Sequence, residues 1–187
     1  MEINQPRIFV VSAPSGAGKT TLIKKAQKLV QNITFSVSHT SRKPRSGEKH
    51  GLDYYFVSES EFQRKIKEGD FLEWAEVYGN YYGTSKSQIS GLLEKGRIVI
   101  LDIDVQGAMQ LRNVKEMNIK FVFIEPPSIE ELNTRLNNRG TETVESINKR
   151  IQNAKQELMF KDQYDFVIIN DELDRAVNEF VSIITSQ

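Results

Sequence analysis

The strongest constraint on this chain is one stretch, FVVSAPSGAGKTTLIKKAQ, running from Phe9 to Gln27. A β-rich apolar run enters a turn of small residues, and Lys19-Thr20-Thr21 then opens an amphipathic segment reaching about Val30. Strand, glycine loop and helix in that order are the context that the phosphate-binding pattern G-x-x-x-x-G-K-[ST] requires. Gly16 and Gly18 let the backbone wrap closely, so that successive N–H groups and the helix N-terminus converge on phosphate oxygens. Lys19 adds a point charge for β and γ phosphates, and Thr20 offers a hydroxyl to Mg²⁺. Ala13 stands in the first glycine slot, where a methyl fits if that residue keeps an extended backbone. The competing reading, an ordinary turn with a solvated lysine, has the two glycines, the Lys-Thr pair and both flanking elements against it.

The rest of the chain repeats the same alternation. RIFVVS (7–12), IVILD (98–102), FVFIE (121–125) and FVIIN (166–170) are short apolar runs that read as strands buried on both faces. Amphipathic stretches lie between them, and Ser58 with Glu61 and Ser128 with Glu131 form S-x-x-E helix starts. The pattern predicts an α/β fold, a parallel sheet covered by helices. At 187 residues the chain is about right for one domain with a sizeable core. The segment 34–84 breaks the rhythm with turn-rich and aromatic pieces around one helix, and reads as an insertion.

Composition narrows the ligands. Lys plus Arg and Asp plus Glu both number 25, so no global field attracts nucleic acid or an anionic membrane, and an anionic ligand must be met by local clusters. The chain has no cysteine, which excludes disulfides and thiolate metal sites and fits a reducing compartment, with cytoplasm the default. No apolar run reaches the length of a membrane span or a signal segment.

Several charged positions could then carry chemistry. Arg42 and Arg45 flank Pro44, and Tyr54 follows, in a segment too turn-rich for a helix. Two guanidinium forks and a phenol suit a dianionic phosphate, although a solvated basic loop has the same composition. Glu73, Tyr82 and Thr84 lie in an aromatic strand-like stretch, where a glutamate is ordinarily solvent-facing. ILDIDVQG ends an apolar strand with Asp102 and Asp104, at the edge where open α/β sheets bind ligands. Asp102 is a partner for Mg²⁺ or its water, with helix capping as the alternative. Arg135 and Arg139 are spaced to share a helix face, with Arg150 beyond the Gly140 turn. His39 and His50 are too isolated to suggest a metal site.

In the order and spacing of SAPSGAGKTT, SVSHTSRKPRSGEKHGLDYYFV, FLEWAEVYGNYYGTS, ILDIDVQGA, FIEPPS, RLNNRGTET and VIIND, the chain resembles the guanylate kinases along almost its whole length. Members of that family are nucleoside monophosphate kinases that make GDP from GMP and ATP. The resemblance implies a P-loop NTPase-type core (about 1–33, 85–127 and 161–187), an inserted mixed α/β GMP-binding lobe (34–84) and a small helical lid (128–160). It implies that Ala13, Pro14, Ser15, Gly16, Ala17, Gly18, Lys19, Thr20 and Thr21 bind ATP phosphates and that Asn170 lies near adenine. Ser38, Glu73, Thr84 and Asp104 would contact guanine, and Arg42, Arg45, Tyr54 and Tyr82 the GMP phosphate. Arg135, Arg139 and Arg150 would come from the lid and, with Lys19 and Arg42, serve catalysis. Mg²⁺ would accompany ATP, held by Thr20 and, directly or through water, by Asp102.

GMP, with dGMP beside it, and ATP are thus the expected substrates, in purine nucleotide metabolism, with neither nucleic acid nor membrane as partner. The sequence leaves monomer against homo-oligomer open. The family often has Gly where Ala13 stands and Ser or Thr where His39 stands, and Ala13 is itself a common family variant. Two other functions weigh less. A guanylate-kinase-like phosphopeptide-binding module would ordinarily have a degraded phosphate loop, and a P-loop GTPase would need N-K-x-D where this chain has Asn170-Asp171.

Overall fold

The computed structural model describes residues 7–77, 79–114, 117–138 and 143–186. Its first strand, β1 (Ile8–Ser12), is buried throughout, as an apolar run without alternation requires. Helix α1 (Lys19–Leu29) follows the glycine loop, and β2 (Ile33–Phe35) comes next. Then come β3 (His39–Thr40), β4 (Tyr55–Phe56), α2 (Glu59–Lys67), β5 (Phe71–Val77), β6 (Asn80–Ser85) and α3 (Lys86–Glu94). The remainder is β7 (Ile98–Asp102), α4 (Val105–Leu111), β8 (Ile119–Glu125), α5 (Ile129–Asn137), α6 (Val144–Leu158), β9 (Phe166–Ile169) and α7 (Leu173–Thr185).

Five strands form one parallel sheet in the order β2-β7-β1-β8-β9. The four strands expected from the apolar runs are all in it. The fifth, β2, was not distinguished in the sequence. Its Phe35 pairs with Ile100, so the main sheet extends past the boundary expected at residue 33. Alternate residues of each central strand face opposite layers. Phe9, Val11, Ile100, Val122 and Ile124 pack with Leu22, Ile23, Val177 and Phe180 from α1 and α7. Ile8, Val10, Val99, Leu101, Phe121 and Phe123 pack with Ile89, Val105, Ala108 and Leu111 from α3 and α4. The result is a helix–sheet–helix sandwich in which the strand period of two sorts the core into two halves.

The inserted segment builds its own four-stranded sheet, β4-β3-β6-β5, in which only β3 and β4 run parallel. Phe62 of α2 stacks on Phe71 and Tyr81, with ring centroids 4.4 and 5.4 Å apart. Both expected capping serines act as such, Ser58 accepting from the Glu61 N–H and Ser128 from that of Glu131. Helices α5 and α6 pack through Leu132, Leu136, Ile147 and Ala154. Among the described residues no helix is long and apolar enough to cross a membrane.

Candidate functional site

The chain crosses over β1 between β7 and β8, so the C-terminal ends of β1 and β7 open a crevice at the point where strand order reverses. Two cavities occupy that edge. One, of about 330 Å³, is lined by Ala13, Pro14, Ser15, Gly16, Gly18, Lys19, Thr20, Thr21 and Glu157. The other, of about 410 Å³, lies between the main sheet and the inserted lobe and includes Ser38, Arg45, Tyr54, Glu73, Tyr82, Asp102 and Asp104. Lys19 of the first cavity and Asp102 of the second form an ion pair at 2.5 Å, which makes the boundary between them a charged contact.

The glycine loop takes its shape from required positive φ angles, 97° at Gly16 and 94° at Gly18. Gly18 has a second constraint, because a Cβ there would collide with the side-chain amide of Asn170. That amide donates to the Ala17 carbonyl at 2.7 Å, and Asn170 is buried. The side chain expected near adenine is therefore committed to bracing the loop from behind. Ala17 is likewise buried and contributes its carbonyl rather than a cavity surface. The Ala13 methyl packs against the core around Phe9 and Val11, which accounts for an alanine where glycine was expected.

Glu73, which lines the larger cavity, accepts from Thr84 Oγ1 at 2.6 Å; both residues are buried, and Thr84 itself is outside the lining. Burial pushes the Glu73 carboxyl above its ordinary range against the Thr84 hydrogen bond, and nearby Asp104 adds to the rise. Its solvent-facing alternative is thereby excluded. Asp104 accepts the Gly107 N–H at 2.8 Å and is the N-cap of α4. The cap suggested as the alternative role of Asp102 belongs to Asp104, and Asp102 is left to Lys19.

Arg42 and Arg45 are organised by Glu48, which the sequence reading passed over. Its two carboxylate oxygens accept from Arg42 Nη2 at 2.8 Å and from the Arg45 backbone N–H at 2.7 Å. These contacts, the guanidinium first, hold Glu48 below the usual carboxylate range. Arg42 also lies over the Tyr54 ring, 5.5 Å from its centroid, and Tyr54 meets Tyr82 edge to face. The basic turn is thus ordered around the Arg42–Glu48 pair, while Arg45 itself stays exposed. A lone carboxylate among Arg42, Lys43, Arg45 and Lys49 was the signal available in the sequence.

On the other side of the glycine loop, α5 packs directly against it. A Cβ on Gly16 would lie 3.0 Å from carbons of Leu132 and Leu136. Arg135 donates to the Asn170 carbonyl at 3.0 Å and to Glu131 at 2.9 Å, so it stands at the end of β9. Arg150 of α6 donates to Ser15 Oγ at 3.3 Å. Arg139 lies outside the described residues, past the end of α5, so a shared helix face with Arg135 is not part of the described structure. Glu157 is the second residue the sequence reading missed, and its spacing from the loop offered no signal. Among the described residues no cluster of three His, Cys, Asp or Glu side chains could hold a metal. Thr20 and Asp102 suit a Mg²⁺ held mainly by ligand phosphates and water, which needs only one or two protein oxygens.

The sequence model of the guanylate kinase family matches residues 5–187. A guanylate kinase of Thermotoga maritima is 44% identical over 97% of this chain and 87% of its own length. One from Vibrio parahaemolyticus is 49% identical over 96% and 87%. The crystal structure of guanylate kinase from Anaplasma phagocytophilum superposes with a TM-score of 0.74 at 34% identity, covering 100% of this chain and 88% of that one. Shikimate kinase from Bacteroides thetaiotaomicron shares the fold alone, at a TM-score of 0.50 and 18% identity.

Proposed function

This chain belongs to the guanylate kinase family and catalyses ATP-dependent phosphorylation of GMP to GDP, and from that premise we propose how its two cavities divide the work. The glycine-loop cavity takes the ATP phosphates, and the larger cavity takes GMP, or dGMP, with guanine at Glu73 and Thr84 and the phosphate at Arg42, Arg45, Tyr54 and Tyr82. The observation carrying this is the ion pair of Lys19 with Asp102. It joins the loop to a cavity lined by the Glu73 carboxylate, to which the Thr84 hydroxyl donates, and that pair is the complement of a guanine edge.

Guanine offers N1–H and N2–H₂ donors side by side and an O6 acceptor. On its arrival those donors would replace the Thr84 hydroxyl at Glu73, freeing Thr84 to donate to O6. The GMP phosphate needs no general base, because its second pKa is about 6 and the attacking oxygen is already largely ionised near neutrality. The protein's task is to align two nucleotides and offset charge on the transferring group. Lys19 and Arg150 are the cations at the loop for that role, and Arg42 holds the acceptor. Arg135, anchored at Asn170, supports the loop from the other side. Thr20 and Asp102 would hold a Mg²⁺ accompanying the nucleotide, which would supply charge neutralisation for the polyphosphate. Closure of the lobe and of the α5–α6 region over the site would exclude water. Cytoplasm, the compartment expected of a cysteine-free chain, belongs with this proposal.

The test offers the purified protein Mg-ATP with GMP, dGMP, AMP, CMP or UMP and follows ADP. GMP should be strongly preferred, and Lys19→Ala should lower kcat at least ~10²-fold with GMP affinity largely kept. Equal turnover of AMP and GMP, or a fully active Lys19→Ala variant, would overturn the assignment.

A further inference from the structure

One side chain in the glycine-loop cavity has the wrong sign for a polyphosphate. Glu157, at the C-terminal end of α6, lines that cavity with Ser15, Gly16, Lys19 and Thr20. Lys19 and the Ser15 main chain favour its charge. Burial and the proximity of Asp104 work against that charge, so the carboxyl sits above its ordinary range. Arg150 lies seven residues earlier on α6, hence on the same helix face, and it also contacts Ser15, through Oγ at 3.3 Å.

Helix α6 therefore reaches the loop with two side chains, a cation hydrogen-bonded to the Ser15 hydroxyl and an anion lining the same cavity. A carboxylate lining the glycine-loop cavity beside the loop lysine stands where a phosphate oxygen is expected. Lys19 is meanwhile engaged by a second carboxylate, its ion-pair partner Asp102.

Resting on the assignment of this cavity to ATP phosphates, we propose that Glu157 is an internal occupant of the phosphate loop in the nucleotide-free protein, and that the donor's polyphosphate must displace it. Displacement moves the acidic end of α6 out of the cavity while leaving Arg150, a cation, to turn from Ser15 toward the incoming phosphates. Donor binding and the position of α6 are coupled through one carboxylate. The direction of its effect separates this role from a structural one. Removing a carboxylate that merely supported the loop would weaken anion binding, whereas removing a competitor strengthens it.

Calorimetric titration of inorganic tripolyphosphate without Mg²⁺, in the presence of a chelator, tests this on the full chain. Glu157→Gln should bind it roughly tenfold more tightly than wild type, and Glu157→Ala, a second route to the same charge removal, should do likewise. Lys19→Ala should bind it more weakly. Unchanged or weaker binding by both Glu157 variants overturns the proposal. So does a loss confined to Mg-ATP with the tripolyphosphate Kd unchanged, which would make Glu157 a support for the metal. If Lys19→Ala binds tripolyphosphate as wild type does, the cavity is not the phosphate site and the assignment beneath the proposal fails first.

Discussion

Glu73 is a carboxylate held in a poor place for charge. Burial and Asp104 raise its pKa, and the Thr84 hydrogen bond offsets this only in part. A group whose folded pKa lies above its unfolded value loses stability as pH rises, so ionised Glu73 makes the ligand-free chain less stable near neutrality. Glu73→Gln should melt higher than wild type at pH 7 yet lose a factor on the order of 10²–10⁴ in kcat/KM for GMP, with the GMP:AMP preference collapsing. Thermal melts beside steady-state rates on both nucleotides check the pair of outcomes. An unchanged GMP:AMP ratio would remove Glu73 from base recognition. His39 carries the opposite dependence. It is buried against Tyr55 and Phe71, its Nδ1 has no hydrogen-bond partner, and Lys65, Asp70, Glu61 and His50 are the charged or titratable groups around it. Burial, then Lys65, lowers its pKa from 6.5. The unfolded chain therefore takes up the proton first, and stability falls as pH drops below about 6.5. His39→Thr, which removes the titrating ring, should flatten that slope in denaturant titrations between pH 5 and 7.

At the level of elements, the glycine loop is held from both sides, by Asn170 at the end of β9 and by α5 above Gly16. Gly18→Ala meets a positive φ and a collision with Asn170 together, so it should cost about 1–3 kcal/mol in chemical denaturation. Adding Asn170→Ala would relieve the collision and leave the φ strain, so the double variant should not recover wild-type stability. The junction between the inserted lobe and the core depends on Asp70, just before β5. It accepts from Lys65 Nζ at 3.0 Å, Ser85 Oγ at 2.9 Å and the Ser87 N–H at 3.1 Å, tying α2 to the start of α3. Burial pushes its pKa up, but these donors outweigh it and bring it down to about 2 from 3.8. A depressed carboxyl contributes stability above its unfolded pKa that is lost as pH falls from there through about 2. Asp70→Asn should lose that contribution at neutral pH, and its acid unfolding should be less steep in that window than the wild type's. Equal acid sensitivity in the two proteins would mean that Asp70 does not hold the junction.

At the scale of the whole molecule, two separately built sheets share one cavity, so a ligand bridging them should stabilise both. GMP at a hundredfold its Kd adds about 2.7 kcal/mol, which for a chain of this size corresponds to a Tm rise of roughly 5–10 °C. That rise should appear in wild type and shrink in Glu73→Ala, as scanning calorimetry would show. Much of this architecture was legible in one dimension. The four central strands, the serine caps and the glycine loop depend on contacts between neighbours in sequence or on unbroken apolar runs, and spacing records both. The residues that complete the site were less so. Phe35 became a strand residue by lying beside Ile100, and Asn170 a brace by reaching the Ala17 carbonyl. Asp102 and Asp104, two residues apart in the same motif, were divided between an ion pair and a helix cap by the direction of the chain leaving β7. Glu157 came to line the glycine-loop cavity only through the packing of α6 beside it. Sequence alone determined where hydrogen-bonding geometry is local. The partner of each distant charge was decided by tertiary packing, because a charged side chain takes its partner from whichever backbone burial brings beside it.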